Sequence, residues 1–194
     1  MSGSEARKRR ADAQRSAESV VGAAIQVLNR DPDASMGAIA AAAGVTRQTV
    51  YAHFSSREKL LRAVVDHLTA ETVAEIDAED IDTGPAMDAL FRLLDASERT
   101  VGRYPVLFQS GDAAATTQSA DDQRHDPVAD RLSRIFRRGQ QSGEFDAHIS
   151  VTWLVAATIK LSHTASEETD AGRLSEHEAD AALRTSLRRI LTPD

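Results

Sequence analysis

The chain is predicted to be all-α, and three observations carry that expectation. Apolar residues recur at spacings of three and four almost throughout, and two-residue alternation is nearly absent. The breaks in that pattern coincide with Asp31-Pro32, Gly44, Gly84-Pro85 and Gly143, residues that end helices rather than continue them.

Taken in order, Val20, Val21, Ala24, Ile25 and Leu28 form one apolar stripe, which predicts a first helix from about Ala11 to Asn29, stopping before Asp31-Pro32. Ser35 offers an N-cap for a short Ala-rich helix, Met36 to Ala43, which Gly44 ends as a left-handed cap. Thr46 then caps a third helix, with Val45 and Val50 spaced to make a hydrophobic staple. Ser55 and Glu58 have the spacing of a capping box, and behind them Leu60, Leu61, Val64, Val65 and Leu68 begin a fourth helix reaching toward Ile76. Beyond the acidic break from Glu79 to Pro85, Met87, Leu90, Phe91, Leu94 and Val101 mark the next helix, and Tyr104 to Phe108 a short one. The polar stretch from Ser110 to Asp126 has no apolar period and reads as a mobile loop. Val128, Leu132, Ile135 and Phe136 define a helix ending near Gly143. Ile149 to Leu161 is apolar almost all round, and Ala179, Leu183, Leu187, Ile190 and Leu191 give a final amphipathic helix.

With 194 residues and 41% apolar side chains the chain can bury a core, and the absence of cysteine excludes disulfides and thiolate metal sites. No run approaches the roughly 18 apolar residues of a membrane span, and the N-terminal residues lack the apolar core of a secretory signal, so a cytoplasmic location is expected. The net charge of −7 hides an asymmetry: residues 1–62 carry ten Lys/Arg against six Asp/Glu, and residues 63–194 carry thirteen against twenty-four. A small basic head on an acidic body is what a nucleic-acid-binding module joined to another function would show, although uneven solvated charge gives the same numbers.

The stretch GVTRQTVYAHF, residues 44–54, fits the basic head. At about 100° per residue, Val50 and Phe54 define a buried side, which puts Gln48, Thr49 and Ala52 opposite, with Tyr51 and His53 to either side of Ala52. Two short helices joined by a Gly turn, the second polar on one face, make a helix-turn-helix. Gln can read adenine and Arg47 guanine, each with two hydrogen bonds, while Thr49 and Ala52 methyls can touch thymine. Tyr51 and His53 are donors for phosphate oxygens; the alternative is that they only pack at the helix edge. The run Arg7-Lys8-Arg9-Arg10 is either an arm for the minor groove or a flexible charged tail.

From about Arg15 to Leu68 the chain resembles the DNA-binding head of TetR-type regulators, through AAAAGVTRQTVYAHFSSREKLL, whose A-G-V-T, T-V-Y-x-H-F and capped S-R-E-x-L-L parts match that family's pattern. The resemblance implies an N-terminal three-helix helix-turn-helix head (domain 1–62) followed by a helical-bundle ligand-binding and dimerisation body (domain 63–194), about nine helices in all. It implies a homodimer on double-stranded DNA, an inverted-repeat operator, a small-molecule effector and no resident cofactor. Base contacts fall to Arg47, Gln48, Thr49 and Ala52, and phosphate contacts to Ser35, Thr46, Tyr51, His53, Arg57 and Lys59. The family's backbone-contacting Lys at the start of the fourth helix is Arg57 here, with Lys59 a second candidate. The last two helices are expected at the dimer interface.

For an effector pocket the large side chains are Phe91, Leu94, Tyr104, Phe108 and Trp153, each of which also serves as plain core. Lys160 and His163, read as the end of an apolar helix, either meet a ligand carboxylate or serve as a solvated chain and a helix cap. The six histidines have no metal-site spacing, and no nucleophile elbow, phosphate loop or dinucleotide fingerprint supports an enzyme. A docking module regulated by a partner protein is the remaining alternative.

Overall fold

The structure, a computed structural model, describes residues 2–107 and 118–193, with side chains for residues 5, 7–107 and 127–193. These form α1 (Ser2–Leu28), α2 (Met36–Ala42), α3 (Arg47–His53), α4 (Arg57–Ala78), α5 (Ala86–Arg103), α6 (Gln118–Ser142), α7 (Val151–Asp170) and α8 (Glu176–Leu191). Residues 105–107 are also helical, and no strand occurs among the described residues. Two compact units emerge, Met1–Thr72 with Arg99–Arg124, and Val73–Glu98 with His125–Asp194; α4 and α5 contribute to both.

The core of the first unit joins Val20, Ala24, Ile25 and Leu28 of α1 to Met36, Ile39 and Ala40 of α2, Val50 of α3, and Leu60, Val64 and Leu68 of α4. Tyr104 and Leu107 pack at its edge. Helix α1 starts nine residues before the expected Ala11, so the run Arg7 to Arg10 is an exposed helical extension rather than a flexible tail. Its sequence explains this: between Glu5 and Val20 there is no proline, glycine or β-branched residue, and Arg15–Asp12 and Gln14–Glu18 pairs support the exposed turns.

The turn into α3 is built as expected. Ser35 Oγ accepts from Ala38 N at 3.2 Å, capping α2. Gly44 has φ 67°, and its N–H and that of Val45 close onto Ala41 O at 3.1 Å and Ala40 O at 3.0 Å, a Schellman ending that a Cβ would strain. Helix α4 differs from expectation: its cap is Ser56, whose Oγ accepts from Lys59 N at 3.2 Å. The helix begins one residue later than the Ser55 reading requires, which moves Glu58 out of the capping-box position.

In the second unit Ile76, Leu90, Leu93, Leu132, Ile135, Phe136, Phe145, Leu154, Leu187 and Leu191 lie in one core. Helix α6 already runs from Gln118, so residues 118–126 are helical rather than loop; the rest of the expected loop, residues 110–117, lies outside the described residues. Lack of apolar period is no bar to helix in a segment of Gln, Ala, Asp and Arg, and Pro127 sits inside the helix with its carbonyl held by Arg131 Nη1 at 2.8 Å. Helix α7 continues to Asp170, well past the expected Leu161, and closes at Gly172 with φ 67°. Lys160 and His163 are therefore mid-helix, and His163 is not an end cap.

Two long-range contacts tie this unit together. The Nε and Nη2 edge of Arg131 donates to the two carboxylate oxygens of Asp77, at 2.7 and 2.5 Å. That hydrogen bonding holds the Asp77 carboxyl below the ordinary carboxylate range, so the pair stabilises the fold above the unfolded carboxyl pKa and is lost as pH falls through the folded one. The Glu144 carboxylate accepts from Ala86 N at 2.6 Å and Met87 N at 2.8 Å, capping α5 from a loop almost sixty residues away. Glu144→Ala is expected to cost about 1–2 kcal/mol in a urea titration, through lost charge-assisted bonds to otherwise orphaned N–H groups.

Candidate nucleic-acid interface

Seven residues, Arg47–His53, form the helix that presents the polar surface. Thr46 fixes its start, its Oγ1 accepting from Thr49 N at 3.1 Å and lying 2.9 Å from Thr49 Oγ1. Val50 is fully buried, and Val45 and Phe54 are partly buried against the same core, so the helix is anchored along one side only. Arg47, Gln48 and Ala52 are exposed, Tyr51 keeps 39% of its surface exposed, and Thr49 is half-buried. Arg47 reaches one turn along the helix, with Nη2 3.4 Å from Tyr51 OH and its guanidinium 5.5 Å from the ring centre. Arg47, Gln48 and Ala52, expected to face bases, are thus accessible on α3 together with Tyr51, and Thr49 is only half accessible.

The remaining residues divide. His53 turns toward α1, its Nε2 3.1 Å from Ser16 Oγ. Arg57 is engaged internally: its guanidinium donates to Ala34 O and Pro32 O and clips the start of α4 to the turn before α2. Lys59 is exposed, and Arg62, which the sequence reading left out, is exposed three residues further on α4. Both line a groove with His53, Phe54 and Ser56. The i, i+3 spacing from Lys59 was the signal for Arg62; nothing local pointed to Ser16.

The side chains considered for a pocket do not share one setting. Phe91 is buried in the second unit beneath Arg184 and Arg188, each 4.8 Å from its ring centre. Leu94 packs partly buried against that core, Tyr104 packs partly buried against the core of the first unit, and Phe108 lies outside the described residues. Trp153 is 55% exposed, at a shallow open depression with His148, Ile149, Ser150 and Ile190. No cluster of three or more metal-ligating side chains occurs among the described residues. Nor is any described helix long and apolar enough to cross a membrane.

A capped, exposed second helix after a left-handed glycine turn defines a helix-turn-helix DNA-binding protein. A family model described as bacterial regulatory proteins, tetR family, matches residues 21–64. The HTH-type transcriptional repressor LfrR of Mycolicibacterium smegmatis is 39% identical over 83 residues, 43% of this chain and 44% of that protein. The crystal structure of the TetR-like regulator LfrR from Mycobacterium smegmatis in complex with proflavine superposes with a TM-score of 0.63 at 26% identity, covering 93% of this chain and 99% of that one. FadR from Bacillus subtilis in complex with stearoyl-CoA, at 16% identity, shares the fold with a TM-score of 0.73 over 89% and 96% of the two chains. Residues 21–64 therefore carry the sequence pattern of the tetR family, and the relatives that the chain resembles are regulators of transcription.

Proposed function

We propose that this chain is a ligand-responsive, dimeric transcriptional repressor of the cytoplasm that binds an inverted-repeat operator through Thr46–His53. A small molecule bound within residues 63–194 releases it. The observation that carries the reading is the one-sided anchoring of α3: Val50 is fully buried while Arg47, Gln48 and Ala52 are exposed. The repressor named LfrR and the ligand complexes of LfrR and FadR support the repressor and effector parts.

In this reading Arg47, Gln48, Thr49 and Ala52 face base edges, and Tyr51, His53 and Lys59, joined by Arg62, meet phosphates. Ser35 and Thr46 place helix N-termini toward the backbone, and Arg57 acts indirectly by holding the turn before α2. Tyr51→Phe with His53→Ala is expected to weaken binding to operator and random DNA alike, by about tenfold or more, and to flatten the salt dependence. Gel-shift titrations at several salt concentrations measure this, and an unchanged slope would sink the phosphate assignment. Ser16→Ala serves as the control, since it removes the partner of His53 without touching the imidazole.

The dimer is assigned to α7 and α8. An exposed tryptophan beside Ile149 and Ile190 is the kind of apolar surface that a second copy covers. Trp153→Asp is expected to shift the protein to monomer in sedimentation and to lower operator affinity. A dimer of unchanged strength would place the interface elsewhere.

A further inference from the structure

Arg138, in the C-terminal third of α6, has all three guanidinium nitrogens closed off from solvent and without a hydrogen-bond partner. Its neighbours on the same helix show how unusual this is. Arg131, two turns earlier on nearly the same flank, is held by Asp77, and Arg134 lies 3.4 Å from Asp82. The acids that follow α6 are committed elsewhere: Glu144 to the N–H groups of Ala86 and Met87, Asp146 to His148. The residue as a whole is half-buried, yet the donors of its guanidinium lie beneath the surface with nothing to receive them.

We propose that Arg138 is the anchor of an anion-binding site, and that the molecule it takes has an apolar body carrying one carboxylate or phosphate group. A planar fork suits two parallel hydrogen bonds to either oxyanion. The apolar body follows from Ile135, which is buried one turn before Arg138 on the same flank of α6. A second protein copy is a poor source of the counter-charge, because the chain's own atoms already cover the nitrogens; a small molecule entering the interior is not barred in that way. The inference rests on the reading of residues 63–194 as the effector-binding part, and it names the charge class of that effector.

The test is a thermal-shift series on the full chain with octanoate, 1-octanol, octylammonium and inorganic phosphate, for wild type, Arg138→Met and Arg138→Lys. Octanoate is expected to raise the wild-type midpoint by about 5–10 °C at 100 times its Kd, with octanol and octylammonium ineffective. Arg138→Met should melt higher than wild type without ligand, since it removes a buried unpaired charge, yet lose the octanoate shift; Arg138→Lys should weaken octanoate at least tenfold. Phosphate matching octanoate would overturn the apolar body and leave only a site for a free anion. Equal shifts from octanol and octanoate, a shift that survives in Arg138→Met, or no shift with either anion would overturn it; the wild-type charge series decides even if the variants fold poorly. Operator affinity measured with octanoate separates the two claims: an Arg138-dependent shift with unchanged DNA binding keeps the anion site and removes its effector role.

Discussion

Gly139→Ala is expected to destabilise the protein by about 3 kcal/mol, lowering the thermal midpoint by roughly 6–12 °C. A Cβ at Gly139 would stand 2.1 Å from Phe145 Cδ2 and 2.5 Å from Cε2. The ring has little room to yield: it is 1% exposed and packs against Phe136, ring centres 6.0 Å apart. Its backbone is also pinned, since Glu144 N and Phe145 N both donate to Gly139 O at 2.9 and 3.0 Å. Moving Phe145 therefore disturbs Glu144, whose carboxylate caps α5. Adding Phe145→Leu to Gly139→Ala should recover part of the loss by removing the ring edge. A single variant melting with wild type would show that this contact does not constrain the fold.

Arg47→Ala combined with Gln48→Ala is expected to reduce the preference for operator over random DNA by about 10²–10⁴-fold, at roughly 1–3 kcal/mol for each lost bidentate contact. Random-sequence affinity should fall far less, because the phosphate-facing groups remain. The side chains are exposed and the α3 cap and core anchor are untouched, so the fold should melt as wild type. Competition gel shifts separate the two affinities; equal losses on both DNAs would reassign Arg47 and Gln48 to backbone contact.

Local signals made the reading head legible. The caps at Ser35 and Thr46, the glycine turn and the apolar stripe of α1 each involve residues within a few positions of one another, and the structure builds them as read. Errors arose where polar sequence was read as unstructured: both the Arg7 to Arg10 run and residues 118–126 are helical, because helix propensity needs no apolar stripe. The cap of α4 slipped by one residue because Ser55 and Ser56 are equally good on paper. Contacts between distant positions left no local trace. Glu144 on α5, Arg57 on the turn before α2 and Ser16 beside His53 depend on tertiary placement. So do the exposure of Trp153 and the isolation of Arg138, since residue type alone reads one as core and the other as surface.

The central claim is that α3, presented twice by a symmetric dimer, reads an inverted repeat. Selection of bound fragments from random DNA by the full-length protein tests this most directly. Enrichment of a palindrome whose half-site centres lie about 34–36 Å apart, or somewhat wider, with loss of that motif in Gln48→Ala, is the predicted result. No enriched sequence, or a single asymmetric site selected equally by wild type and Gln48→Ala, would contradict it.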